Sequence, residues 1–219
     1  MDPASVPAGG PVAAVQVWDL PVRVCHWALA GAVPTAWLSA GQDPVIHFWA
    51  GWTVVGLTLF RIVWGFSGSR FARYSDLLHP PGRVLAHMRD VGHFRARRYL
   101  GHDPSGGALA LIMLLLLATI GVSGWALPDR ADRELAWIRD VHKWSSNILL
   151  ALVPFHILAV LIKGWLHRES LIWAMITGWK RVGPDDELPA EVRTAEARVL
   201  DRLRAVEALA LWGLLAVAA

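Results

Sequence analysis

The feature that most constrains this chain is a set of four apolar runs, each long enough to cross a lipid bilayer. The runs cover residues 22–40, 47–66, 106–127 and 144–166. A spanning α-helix needs about 20 predominantly apolar residues. The composition agrees, because 55% of the 219 residues are hydrophobic and only 18% are charged. We therefore predict an all-α membrane protein built as a four-transmembrane-helix bundle.

Arginine is concentrated in one of the predicted loops. The segment 67–104 carries seven arginines against three aspartates, whereas the segment 129–141 carries three arginines against four acidic residues. Loops beside membrane spans that are rich in Lys and Arg stay on the cytoplasmic side. We therefore predict that the long second loop and both termini are cytoplasmic. Because this topology explains the net charge of +3, we do not expect nucleic acid as a partner.

Within the long loop, residues 81–99 combine apolar positions at helical spacing with many arginines. This pattern is typical of an amphipathic helix that lies on anionic membrane lipid. An arm that binds a partner protein would show the same pattern, and the sequence leaves both interpretations open.

Both ends of the chain fall outside the four-helix pattern. Residues 1–15 are rich in Pro, Ala and Gly and have no apolar signal-peptide core, so we predict a short disordered tail. The predicted membrane domain covers residues 16–182. Residues 183–219 are predicted to be a helical tail whose last twelve residues are apolar but too few to span. That end is interpreted as an interfacial or packed helix, with a truncated fifth span as the alternative.

Cys25 is the single cysteine of the sequence. One cysteine excludes an intrachain disulfide framework and every cluster of thiolate ligands for zinc or iron–sulfur. The C-x-x-C-H motif of covalently attached haem is also absent from the sequence. We interpret Cys25 as a packing residue.

Four histidines lie in the apolar runs or at their edges, namely His26, His47, His142 and His156. Strongly polar residues at membrane depth are costly, so they are usually paired or functional. A lone intramembrane histidine is as compatible with a hydrogen bond between helices as with metal ligation. Four together favour ligation, because their depths match.

The depth of each histidine follows from the direction of its helix. His142 and His156 are 14 residues apart, so they share a helix face and lie about 21 Å apart along the axis. With the first helix running outward and the second inward, His26 is level with His156 and His47 is level with His142. Two facing imidazoles at one level suit axial ligation of a haem iron. Another metal would want carboxylate or thiolate ligands, which these levels lack, so we predict two haem sites.

Arg61 is the other informative residue of the spans. It follows His47 by 14 residues, hence on the same face, at a depth in the cytoplasmic half. One interpretation is a side chain that snorkels toward the lipid headgroups. The other is an ion pair with a propionate of the cytoplasmic-side haem, or a polar contact to a quinone headgroup.

The third run has no histidine but contains several small residues, among them Gly107, Gly121, Ser123 and Gly124. Close packing of helices through small residues accounts for them, and so does room for the edge of a porphyrin. The remaining histidines lie in the cytoplasmic loop or tail and are predicted to be solvated surface residues: His79, His87, His93, His102 and His167.

Several stretches of the sequence also carry a family likeness. They are Val17 to Trp27, His47 to Gly51, Phe60 to Arg73, Tyr99 to Gly107, Val141 to Lys143, Phe155-His156 and His167 to Arg181. Together they resemble the bacterial cytochrome b561 family, which includes the b-type subunits of nickel–iron hydrogenases. The likeness covers about residues 15 to 182.

The resemblance implies a di-haem b bundle in the bacterial inner membrane, with His26, His47, His142 and His156 as axial ligands. It implies two non-covalent haems b and electron transfer between the quinone pool (ubiquinone or menaquinone) and a redox partner. That partner would be a hydrogenase, a dehydrogenase or a c-type cytochrome. An electron-transfer subunit is favoured over a complete enzyme.

Two alternatives stay open. One is a free-standing quinone-linked oxidoreductase, such as a superoxide oxidase. The other is a haem-free membrane anchor that docks a cytoplasmic partner through the arginine-rich loop.

Overall fold

The computed structural model describes residues 14–127 and 136–182. The predicted C-terminal helical tail, most of the predicted N-terminal tail and the loop after Leu127 lie outside these residues. The described chain divides into two compact units. The larger, Gln16–Trp179, contains all the helices that the structure describes, and the described residues of the smaller are 14, 15 and 180–182.

The elements follow one another in a simple order. They are β1 (Ala14–Gln16), α1 (Leu20–Ser39), α2 (Pro44–Ser67), a 3₁₀ turn (Arg70–Ala72), α3 (Tyr74–Leu77), α4 (Pro81–Gly92), α5 (Pro104–Ala126), α6 (Ala136–Leu166), α7 (Leu171–Thr177) and β2 (Trp179–Arg181). The four long helices α1, α2, α5 and α6 correspond to the four predicted runs. The paired strands β1 and β2 are an addition to the all-α prediction, which did not include them.

Three of the long helices begin with the same local device, an aspartate N-cap followed by proline in the first turn. The Asp19 carboxylate accepts a hydrogen bond from the Val22 amide at 2.8 Å. Asp43 and Asp103 cap α2 and α5 in the same way. An N-cap carboxylate satisfies an otherwise unpaired amide, and proline fits the first turn because it has no amide to satisfy. The sequence thus sets where these helices start.

Helices α2, α5 and α6 are each long and apolar enough to cross a membrane. Helix α1 has 20 residues, but Arg23, His26 and Pro34 make it less apolar than the other three. The protein is therefore an all-α-helical membrane protein with three clear candidate spans. That α1 is a fourth span is carried forward as part of the proposal below.

Neighbouring helices in the chain pack against one another, α1 on α2, α2 on α5 and α5 on α6. The middle of the bundle holds a cluster of buried apolar side chains formed by Val54, Leu117 and Leu149. Trp37 of α1 also donates a hydrogen bond to the Asn147 side chain of α6 at 3.4 Å. The first and last long helices therefore face each other across the bundle.

The two ends of the bundle differ. At one end, here called the short-turn end, residues 40–43 join α1 to α2. At the other, the long-loop end, residues 68–103 carry the 3₁₀ turn, α3 and α4, and α3 and α4 both pack against α5. The approach is close, since a Cβ at Gly107 would lie 2.5 Å from the Leu77 carbonyl oxygen.

Helix α7 lies beside the start of α1 at the long-loop end. The Arg23 guanidinium donates to the Ile176 carbonyl and the Trp27 indole donates to the Met175 carbonyl. Gly178 ends α7 with φ of +89°, a left-handed conformation that glycine adopts without steric cost. Its carbonyl then accepts from the amides of Val17 and Trp18, which holds the chain entering α1 against the end of α7.

Candidate functional site

The four histidines of the long helices meet as two pairs. The rings of His26 and His156 have their centres 6.4 Å apart, and those of His47 and His142 have theirs 6.3 Å apart. The first pair joins α1 to α6 toward the long-loop end, and the second joins α2 to α6 toward the short-turn end. All four side chains are half-buried. These are the same pairs that the depth argument gives.

The rings of His47 and His142 are oriented by hydrogen bonds to backbone. Nδ1 of His47 donates to the Ala36 carbonyl at 2.7 Å. Nδ1 of His142 donates to the Ile120 carbonyl at 3.0 Å and also lies 3.2 Å from the Ser123 hydroxyl oxygen. Donating from Nδ1 leaves Nε2 of each neutral ring free as a lone-pair donor. Metal-ligating histidines typically have this arrangement, with one ring N–H held by a carbonyl.

The absence of a side chain at Gly124 allows α5 to approach His142. A Cβ built at Gly124 would lie 3.0 Å from His142 Cε1 and 3.3 Å from Nδ1. By contrast, a Cβ at Gly51 would meet nothing within 4 Å, and Gly51 follows His47 by about one helical turn. The absence of a side chain at Gly124 therefore makes room for the His142 ring. Gly51 instead leaves open space on the face of α2 that carries His47.

Two other glycines of α5 allow close packing against neighbouring helices. A Cβ at Gly121 would lie 3.1 Å from Val55 Cγ2, and Gly107 lies against Leu77 as described above. Of the two explanations for the small residues of the third run, close packing thus accounts for Gly107 and Gly121. Gly124 serves the His142 ring directly.

The two pairs suit haem iron better than a bare metal ion. In the described part of the chain, no group of three or more His, Cys, Asp and Glu side chains is placed to hold a metal ion, so each pair offers only two ligands. Haem iron needs only axial ligands from protein. An imidazole nitrogen lies about 2 Å from a metal that it binds, which puts the centres of two opposed rings about 6 Å apart. The observed ring spacings agree with that distance.

An apolar layer separates the two levels. Leu149 lies seven residues after His142 and seven before His156, so it stands midway between them on α6. Its side chain is 2% exposed and packs with Val54 and Leu117. The middle of the interior between the two histidine pairs is therefore apolar.

Arg61 is directed to the loop. Its guanidinium donates to the carbonyl of Ala72 at 3.0 Å, so it fastens the 3₁₀ turn to the end of α2. This contact suits a side chain that extends toward the membrane surface. A role toward a cofactor or quinone stays a prediction. Cys25 is buried, and its thiol faces the Leu57 carbonyl of α2, as befits a packing residue.

The prediction that His87 is a solvated surface residue is wrong. The residue is 5% exposed, and its Nε2 lies 3.0 Å from Oδ1 of Asp103. Burial follows from the packing of α4 on the start of α5, which covers this face of α4. His102 is also largely covered, with its ring 4.7 Å from that of Trp18 in an edge-to-face contact.

Asp103 and Lys163 complete a charged cluster that sequence reasoning missed. The Lys163 ammonium lies 2.8 Å from both carboxylate oxygens of Asp103 and 3.0 Å from the Ser105 hydroxyl. Burial alone would raise the pKa of Asp103, but Lys163 and the hydrogen bonds to the carboxylate outweigh it and hold this pKa far below its ordinary value. The N-cap role of Asp103 is visible in the sequence, whereas its partner 60 residues later on α6 is not.

The fold and the site together define a class, a helical membrane protein whose long helices carry paired histidines suited to hold haem. A model of the prokaryotic cytochrome b561 family matches residues 17–178. The chain therefore belongs to the prokaryotic cytochrome b561 family, as its motifs suggested. Members of this family are membrane b-type cytochromes, and membership implies a role in electron transfer.

Curated relatives of the chain share one description. A protein of Azotobacter vinelandii is 26% identical, with 78% of this chain and 90% of the relative aligned. One of Bradyrhizobium diazoefficiens is 28% identical, with 75% and 85% aligned, and one of Rhodobacter capsulatus is 25% identical, with 80% and 84% aligned. Each is named a probable Ni/Fe-hydrogenase B-type cytochrome subunit. No solved structure gives a significant match to the chain.

Proposed function

We propose that this protein is a transmembrane di-haem cytochrome b. One haem b is held between His26 and His156, and the other between His47 and His142. The observation that carries the proposal is the pair of ring spacings near 6 Å at two levels of one bundle. Bound haem would supply reversible one-electron chemistry at its iron.

The groups around the histidines would orient the ligand nitrogens and exclude water. The carbonyls of Ala36 and Ile120 keep Nε2 of His47 and His142 unprotonated and aimed, since each accepts from Nδ1. The apolar layer around Leu149 keeps water out of the space between the two levels. Electrons would then cross the membrane between two sites set about 21 Å apart along α6.

The relatives guide the choice of redox partner. Because they are named hydrogenase cytochrome subunits, we propose that this chain exchanges electrons with a nickel–iron hydrogenase on one side and with quinone in the membrane. A dehydrogenase or a c-type cytochrome would be served by the same two-level arrangement. Co-purification of a hydrogenase with the tagged chain, and reduction of added quinone by H₂ in that complex, would support the first partner.

The topology is part of the proposal. Four spans including α1, in the bacterial inner membrane, place both termini and residues 68–103 in the cytoplasm, as the arginine content of that loop indicates. A reporter active only in the periplasm, fused after Arg181, should stay silent, while the same reporter inserted near Arg133 should be active. The opposite pattern would reverse which histidine pair is the cytoplasmic one.

The decisive experiment measures haem in the purified protein. We expect two haems b per chain by pyridine haemochrome, with low-spin spectra, and complete extraction by acid acetone. A single haem would contradict the two-site proposal, and haem that resists extraction would contradict non-covalent binding. A colourless protein would favour the haem-free anchor.

A further inference from the structure

The strongest feature outside the histidine pairs is the charged cluster formed by His87, Asp103 and Lys163. It joins α4, the start of α5 and the end of α6 at the long-loop end. His87 is 5% exposed, and the side chains of Lys163 and Asp103 are 11% and 19% exposed. Burying three ionisable groups together costs desolvation free energy, so their presence at the end of the bundle points to a role beyond packing.

Two of the three groups have fixed charges near neutral pH. Lys163 binds both oxygens of the Asp103 carboxylate at 2.8 Å, and the same carboxylate accepts from the Gly106 amide and the Ser105 hydroxyl. These contacts keep Asp103 ionised. Histidine is the side chain whose ordinary pKa lies between about pH 5 and 8. His87 is therefore the member of the cluster that can gain or lose a proton near neutral pH.

The geometry at His87 favours a ring that changes its charge. Nε2 lies 3.0 Å from Asp103 Oδ1, yet the angle does not make an aligned hydrogen bond. A neutral ring gains little from such a contact, whereas an imidazolium is attracted to the carboxylate at any angle. The other ionisable groups facing His87 are Lys163 of α6, Asp90 of its own helix and Tyr99 of the following loop.

Burial and the charges around His87 act on its protonation in opposite directions, with burial the largest influence. Burial lowers the pKa of His87 below its ordinary value, Lys163 acts in the same direction, and Asp103 and Asp90 act against both. Opposed influences of this kind leave the protonation of His87 sensitive to one further charge nearby.

The cluster lies close to one histidine pair. Lys163 follows His156 by seven residues, so it shares the face of α6 that bears His156 and lies about 10 Å farther toward the long-loop end. His87 reaches this position from outside the bundle, on a helix whose other face is exposed. The cluster thus stands between the exposed surface of the long-loop end and the His26–His156 level.

We propose that His87 is a redox-linked proton site: it takes up a proton from water at the long-loop end when the His26–His156 site is reduced, and releases it on oxidation. The inference rests on the proposed function, since it requires a redox group at that pair. Reduction adds one negative charge at that level, and the His87 ring gains one proton, so one electron is matched by at most one proton. At an effective dielectric constant near 20, a unit charge at a separation on the order of 10 Å changes proton affinity by roughly tenfold.

The test is a redox titration of the purified holoprotein across about pH 5.5–8.5, the range in which histidine titrates. In the wild type, the potential of one haem should fall as pH rises, because the reduced form binds the proton more tightly. His87→Asn should abolish most of that slope without changing haem content. The matched control is His93→Asn, at the exposed end of the same helix, which should keep the slope.

Proton uptake provides a second readout. Photoreduction in weakly buffered detergent solution with a pH indicator should take up a fraction of a proton per electron in the wild type and in His93→Asn, but not in His87→Asn. Asp103→Asn keeps an N-cap residue and removes the carboxylate charge, so it should move the pH-dependent range of the potential to lower pH.

The outcomes separate the two proposals. Two haems per chain with the same pH slope in wild type and His87→Asn, or with no slope in the wild type, would overturn the proton site and leave the cytochrome proposal intact. A wild-type protein without haem would overturn both.

Discussion

Gly124 of α5 lies directly against the imidazole of His142, close enough that a methyl group at position 124 would stand 3.0 Å from His142 Cε1. The same ring donates from Nδ1 to the Ile120 carbonyl one turn earlier on α5. The two contacts therefore fix the position of the ring and leave its Nε2 as the nitrogen available to the proposed haem.

Gly124→Ala should displace the His142 ring and impair one haem while sparing the other. A contact of 3.0 Å is tighter than most Cβ contacts in proteins, so the His142 ring would have to shift by a few tenths of an ångström. The α5 backbone cannot retreat easily because it is packed against α2 and α6. We expect the visible spectrum to show loss or a spin-state change of one haem. Gly56→Ala is the matched control, since a Cβ there meets nothing within 4 Å, and it should leave both haems unchanged. Equal effects of the two substitutions would contradict the ring-seating role.

The histidine pairs predict which substitutions share a phenotype. His26→Ala and His156→Ala should remove the same component from a redox titration, and His47→Ala and His142→Ala should remove the other. The reason is the ring spacing of each pair, 6.4 Å and 6.3 Å. Redox titration of the four single variants, with spectra of the remaining haem, measures this. If the two variants of one proposed pair lost different redox components, that pairing would be wrong.

The Lys163–Asp103 ion pair should contribute strongly to stability. Removing one partner of a buried pair strands the other charge, so Lys163→Met should lower the free energy of unfolding by about 3–5 kcal/mol. Lys143→Met, at an exposed position of the same helix, is the control and should change it little. Thermal unfolding in detergent compares the two variants, and similar midpoints would argue against a stabilising pair.

The same ion pair makes the free energy of unfolding depend on pH, in a direction set by the pKa of Asp103. Because the pKa of Asp103 is lowered in the folded protein, its stabilising effect is fully present above the ordinary carboxyl pKa of about 3.9 and is lost as the pH falls below it. The gap in stability between wild type and Lys163→Met should therefore stay constant from neutral pH down to about pH 4 and narrow below. A gap that narrowed already at pH 6 would point to a different titrating group.

The sequence predicts a feature well when that feature depends on neighbouring residues or on a regular spacing of residues. The start of α5 follows from Asp103 and Pro104, because an N-cap acts within one turn. Hydropathy located the long helices but not the start of α6. That helix begins at Ala136, eight residues before the apolar run. Charged residues near Lys143 lower the hydropathy there without ending the helix. The end of α4 at Gly92 also came earlier than expected, where the chain turns through Phe94 with a φ of 56°.

What the sequence predicts poorly depends on which helix faces meet. The burial of His87 requires that one face of α4 lie on α5, and its ring contacts Asp103, 16 residues later. Gly124 was equally compatible with packing and with a porphyrin edge until the position of His142 was known. The histidine levels could be inferred only because helix rise is constant, so a difference in residue number translates into depth.

Arg61 offers the last test, because its two interpretations predict different redox potentials for Arg61→Gln. If its charge tunes the redox group at the His26–His156 level, Arg61→Gln should lower the potential of that haem by tens of millivolts. A unit charge at a separation on the order of 10 Å contributes about 1–2 kcal/mol at an effective dielectric constant near 20. Arg61→Lys keeps the charge, so the potential should stay near that of the wild type.

If instead the hydrogen bond to the Ala72 carbonyl is the whole role of Arg61, both variants should leave both potentials unchanged and lower the thermal stability together. Redox titration and thermal unfolding of the two variants, measured on the same preparations, distinguish these outcomes. We expect the charge-dependent result, because the guanidinium is half-buried on the same face of α2 as His47, where a positive charge is costly unless it interacts with an anionic group.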